Sequence, residues 1–189
     1  MDPTAGKVDE SRVMTLEAFA DTVVPGEKRF PGDRAIAGVS TGGGAVEAGA
    51  LALLSMPEGG MDVALDGLAV ALNQHAVRYR DEHGRPEDDS VPAFVALESA
   101  DRIALIDELC RPGHPEKVIW TGIVLFCNMA YDTGGYMHTT DALAAGHVGL
   151  TALGFFPPDA DGRWRFPDYS YRRPLADLHP LTLANGSLP

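Results

Sequence analysis

The segment Asp132-Thr133-Gly134-Gly135-Tyr136-Met137-His138-Thr139-Thr140-Asp141 places two carboxylates, a phenol and an imidazole directly after the most apolar stretch of the chain. Such a set can supply an acid, a base and a hydrogen-bond donor around a pocket. Asp132, Tyr136, His138 and Asp141 are therefore the candidate catalytic residues of an enzyme reading. The chemistry would be isomerisation, dehydration or cyclisation of a hydrophobic small molecule. The same residues also read as a helix C-cap, a glycine turn and an N-cap in succession. A metal set of Asp132, His138, Asp141 and His147 has a spacing that matches no known ligand pattern, so no metal is expected. Gly38-Val39-Ser40-Thr41-Gly42 matches G-x-S-x-G, but no apolar strand precedes it, as a nucleophile elbow requires. Gly42–Gly44 completes no phosphate-binding loop, and Asp159-Ala160-Asp161-Gly162 lacks the remaining calcium ligands. His75 falls on or beside an apolar helix face and is expected to be a satisfied interior histidine.

The elements that would hold these groups are helical. Residues 1–13 read as a flexible leader, and Thr15 as the cap of a helix that buries Leu16, Phe19, Ala20 and Val23 and stops at Pro25-Gly26. After a glycine-rich loop, a second helix is expected from about Ala45 to Met56. A third starts at Asp62, with Leu65, Leu68, Ala69, Leu72, Ala76 and Tyr79 as its inner stripe, and frays between Arg78 and Asp89. Phe94–Leu97 leads into a helix capped by Ser99 or Asp101, lined inside by Ile103, Ile106, Leu109 and Cys110. From Pro115 to about Asp132 runs a helix that is apolar nearly all round, which predicts a place at the centre of the bundle. A short helix follows at Thr140–Gly146. Alternating strand patterns are scarce. The expectation is a single-domain, all-α, irregular helical bundle over residues 14–153, followed by an extended aromatic and proline-rich tail over 154–189.

The charge pattern narrows the function. The 189 residues carry 15 Lys and Arg against 27 Asp and Glu, a net charge of −12, which repels phosphate backbones and argues against a nucleic-acid partner. No apolar run is long enough to cross a bilayer. The first residues form no secretory or twin-arginine leader, so the sequence as written is expected in the cytoplasm, with export only beside a partner or from a longer precursor. Cys110 and Cys127 both sit in apolar helical contexts and read as free buried thiols. No Lys or Arg occurs from Ala35 to Val77, and from Val118 to Pro158 the only formal charges are Asp132 and Asp141. That neutrality implies deep burial or a surface covered by a partner. In the tail, Trp164, Phe166, Tyr169, Tyr171, Arg172 and Arg173 are of the types that dominate interface hot spots, so they are candidate partner-binding residues.

Leu16-Glu17-Ala18-Phe19-Ala20-Asp21-Thr22-Val23-Val24-Pro25-Gly26 resembles the opening L-x-x-x-A-D-x-I-I-P-G segment of the gluconate 2-dehydrogenase subunit 3 family, in its actinobacterial branch. Arg34-Ala35-Ile36-Ala37-Gly38-Val39 is similar to the stretch that follows in that family, and Gly134-Gly135-Tyr136 and Gly154-Phe155 resemble its close. The resemblance implies a small helical subunit of a hetero-oligomer. Its large partner would be a flavoprotein of the glucose-methanol-choline (GMC) type, acting on a sugar, alcohol or related natural product. That partner would carry the FAD and the catalytic groups, with no cofactor and no catalytic residue in this chain. The competing expectations are the stand-alone enzyme above and a binding module whose partner has no redox role.

Overall fold

The structure, a computed structural model, describes residues 3–157 together with Pro180 and Leu181. Among the described residues eight α-helices follow one another: α1 (Pro3–Val23), α2 (Ala50–Leu54), α3 (Leu65–His83), α4 (Ala93–Ala96), α5 (Ser99–Leu109), α6 (Lys117–Thr133), α7 (Thr139–Ala144) and α8 (Val148–Ala152). Short 3-10 turns at Pro57–Gly59 and Asp62–Ala64 join α2 to α3. No strand occurs among the described residues, so the all-α class holds. Of the tail expected over 154–189, residues 154–157, Pro180 and Leu181 are described, while Trp164, Phe166, Tyr169, Tyr171, Arg172 and Arg173 lie outside the described residues.

α1 is the element around which the others pack, touching α2, α3, α4, α5 and α6. It begins at Pro3, so a helix occupies most of the segment expected to be a leader. Thr15 lies inside it, and its hydroxyl donates back to the Ser11 carbonyl at 2.8 Å instead of capping a first turn. Leu16, Phe19 and Ala20 are buried as their spacing predicts. The Phe19 ring lies 6.4 Å from that of Phe94 and 6.1 Å from that of Trp120, joining α1, α4 and α6 in one aromatic cluster.

α3 buries Leu65, Leu68, Ala69, Leu72, Ala76 and Tyr79, the stripe read from the sequence, and stays helical to His83. Two other expectations change. α5 buries Ile106 and Leu109 as expected, but Ile103 is exposed, and Asp101, Arg102 and Leu105 are buried beside them. The reason is polar. Arg102 donates from Nε to Leu97 O, from Nη1 to Ala35 O, and from Nη2 to Val95 O and Arg34 O, at 2.6–3.0 Å, so the guanidinium fixes which side of the helix turns inward. α6 is the second correction. It is not enclosed at the centre: Trp120, Ile123, Cys127 and Ala130 are buried against the bundle, whereas Val118, Leu125 and Met129 face outward.

The loop from Val24 to Gly49 is held by backbone and carboxylate contacts. Asp21 accepts the Gly26 N–H at 2.9 Å through Oδ1 and the Ala37 N–H at 2.8 Å through Oδ2. The Ala45 N–H donates to Val24 O at 2.9 Å, and Glu27 N–H to Gly42 O at 2.9 Å. Gly26 and Gly44 lie so close that a Cβ on Gly26 would sit 2.8 Å from the Gly44 nitrogen. The D-x-V-V-P-G motif is thus a structural clasp: the carboxylate ends α1 and pins the loop that returns toward α2.

Candidate functional site

The four residues first singled out for chemistry do not form one constellation. Asp132 lies at the end of α6 and is exposed. His138 is exposed and holds its own Thr140 hydroxyl at 2.7 Å. Asp141, also exposed, is in the first turn of α7, where a carboxylate suits the positive helix end. Tyr136 is half-buried and packs over Gly49 and 6.2 Å from the His147 ring. Among the described residues, none of the four is hydrogen-bonded or ion-paired to another of the four. The Gly134 turn between α6 and α7 accounts for the cluster.

His147 is a structural residue. It is buried, its Nδ1 accepts the Leu150 N–H at 3.3 Å to cap α8, and its Nε2 donates to Ala48 O at 3.1 Å. α8 then lies directly on α6, since a Cβ on Gly149 would meet Tyr131 O at 1.8 Å. No group of three or more metal-capable side chains occurs among the described residues. Ser40 sits in an open glycine loop, with no hydrogen bond to a histidine.

A cluster of which the sequence singled out only His75 lies where α3, α5 and the start of α6 meet. A cavity of about 200 Å³ there is lined by His75, Arg78, Tyr79, Glu82, Glu108 and His114. His75 Nε2 lies 2.7 Å from Glu116 Oε2, and its Nδ1 lies 3.0 Å from Arg78 Nη2. A guanidinium can only donate, so Nδ1 is the acceptor and Nε2 carries the proton. Both ring nitrogens are then engaged, which leaves no free lone pair for a general base. Glu116 also accepts the Trp120 indole N–H at 2.9 Å. That bond first, and the one from His75 next, hold its carboxyl below the ordinary 4.5.

The sign of the linkage follows from that direction. A carboxyl depressed in the folded state contributes stability that is complete above its unfolded value and is lost as pH falls through the folded one. Glu116→Gln is therefore expected to unfold at lower urea than the wild type at pH 6, with the difference shrinking below pH 4.5. Parallel urea titrations at pH 6, 4.5 and 3 check it. A gap that stays constant would mean the carboxylate charge plays no part.

The cysteines have no site chemistry. Both are free, Cys110 half-buried and Cys127 buried. Burial pushes the Cys127 thiol up to about 12, far from a reactive thiolate.

The arrangement that remains unsatisfied is apolar. Val118, Leu125 and Met129 recur at helical spacing on the outer side of α6, with 88 %, 56 % and 44 % of their surfaces exposed. Residues 10–189 match a family described as one of unknown function, DUF5987. The chain belongs to the DUF5987 family. No curated protein and no solved structure matches it. In this DUF5987 member α6 buries four residues and leaves a row of large apolar side chains exposed. No helix among the described residues is long and apolar enough to cross a membrane.

Proposed function

We propose that this chain is a non-catalytic accessory subunit that binds and stabilises a larger, FAD-dependent oxidoreductase of the GMC type. The observation that carries the docking role is the outward apolar row of α6: Val118, Leu125 and Met129 on a helix whose only charged residues are Lys117 and Asp132. Covering such side chains contributes about 25 cal/mol per Å², which is how a partner would gain from this face. The non-catalytic role is supported by Asp132, His138 and Asp141 standing in solvent and by His75 having both nitrogens engaged. The flavoprotein as partner is supported by the resemblance of Leu16–Gly26 to gluconate 2-dehydrogenase subunit 3 proteins. On this reading the FAD and the oxidation of a sugar, alcohol or related natural product belong to the partner. The pair forms a hetero-oligomer in the cytoplasm, and the arginine- and aromatic-rich segment around Trp164 to Arg173 adds contacts.

Co-expression with a GMC-type flavoprotein encoded beside this chain, followed by gel filtration, tests the proposal. A single peak containing both polypeptides and the yellow flavin is the expected result. Two separate peaks, with the flavoprotein fully active by itself, would overturn it.

A further inference from the structure

The two stretches free of Lys and Arg, Ala35–Val77 and Val118–Pro158, meet where α2 lies against α6. α2 packs along α6, α8 packs on α6, and Gly59 touches the Phe126 ring. The carboxylates of these stretches are Glu47, Glu58, Asp62, Asp66, Asp132 and Asp141, and among the described residues only Asp66 has an ion-pair partner, Arg12. Elsewhere in the chain lysines and arginines are interspersed with the carboxylates. Glu17 and Asp33 share Arg29, Asp88 pairs with Arg34, Glu87 with Arg80, and Asp101 with Arg85. Beyond Lys117 at its first position, the apolar row of α6 therefore lies in a stretch that carries carboxylates and no lysine or arginine.

We propose that this side is the docking face and that it takes a protein surface with an apolar centre flanked by lysines and arginines. The proposal rests on the accessory-subunit reading and adds the place and the chemistry of the contact. The apolar row supplies the burial, and the carboxylates steer the encounter and set its register. A second copy of this chain is a poor occupant. A two-fold dimer brings the same patch onto itself, setting these carboxylates against their own copies. The chain's own C-terminal residues fit little better in charge, because Arg163, Arg165, Arg172 and Arg173 are matched by Asp159, Asp161, Asp168 and Asp177.

The test uses the full chain, the co-expressed GMC flavoprotein as probe, and two readouts. In binding assays, Leu125→Glu is expected to weaken the complex by at least about 10-fold, as loss of a central apolar contact does. The double variant Glu58→Lys/Asp132→Lys is expected to slow association and to flatten the dependence on salt between low and high ionic strength. Both variants change exposed side chains, and circular dichroism confirms that each remains folded. In oxidative footprinting with peroxide, Met129 is expected to oxidise quickly in the free chain and slowly in the complex.

Equal affinity of Leu125→Glu and the wild type would overturn the docking face while leaving the subunit reading intact. Slow oxidation of Met129 in the free chain at every concentration would assign the face to the chain's own C-terminal residues. Protection that grows with concentration would assign it to a second copy. No binding of the wild type would remove this proposal and the subunit reading together.

Discussion

Arg102→Ala is expected to lower the unfolding free energy by about 3–5 kcal/mol, the cost of breaking a buried charged network by removing one member. Arg102 is 5 % exposed, and its guanidinium satisfies the carbonyls of Arg34, Ala35, Val95 and Leu97. Those groups come from the loop after α1 and from α4 and its end, so one side chain joins segments that are far apart in sequence. Burial pushes the guanidinium pKa down, and the charge of Asp21 pulls it back up. Removing the arginine strands several buried carbonyl acceptors at once. Lysine has a single terminal group and cannot reproduce the fork, so Arg102→Lys is expected to recover only part of the loss. Arg111→Ala, an exposed position, is the control and is expected within about 0.5 kcal/mol of the wild type. Urea unfolding followed by circular dichroism measures all three. A loss under about 1 kcal/mol in Arg102→Ala would mean that water replaces the guanidinium without cost.

Trp120→Ala should cost a similar amount, about 3–5 kcal/mol, by a different route. Trp120 is the largest fully buried side chain, packed beside Phe19 and edge-on to His75. Its loss leaves a cavity between α1 and α6 and deprives Glu116 of the indole N–H. Trp120→Phe keeps most of the volume and is expected to recover more than half of the stability, with the remainder reporting the hydrogen bond and the smaller ring. Thermal unfolding midpoints of the two variants check this order. Equal midpoints for Phe and Ala would place the stabilisation in the hydrogen bond alone.

The parts of the fold set by local rules were legible in the sequence. Pro25-Gly26 ends α1, and the stripe from Leu65 to Tyr79 faces inward, because spacing alone decides both. On α5 only Ile103 was misplaced, because periodicity counts apolar residues, and here an arginine joins the inner stripe while Ile103 faces water. α8 passed unnoticed because its five residues contain Gly149, whose missing side chain lets the helix lie on Tyr131. The assignment of α6 to the centre failed for a reason that bears on function. An apolar residue buried by its own fold and one kept for a partner look alike in sequence. Only the structure separates Trp120 from Leu125. The polar cluster from Asp132 to Asp141 looked chemical because capping and turn residues are of the same types as catalytic ones.

The central claim is that this helical body has its effect through another protein. The most direct measurement is the temperature at which the GMC flavoprotein releases its FAD, followed by flavin fluorescence, with and without an equimolar amount of this chain. Binding only the folded flavoprotein raises that temperature. The account predicts a clear upward shift with the wild-type chain and little or none with Leu125→Glu. The same release temperature with and without the wild-type chain would contradict it.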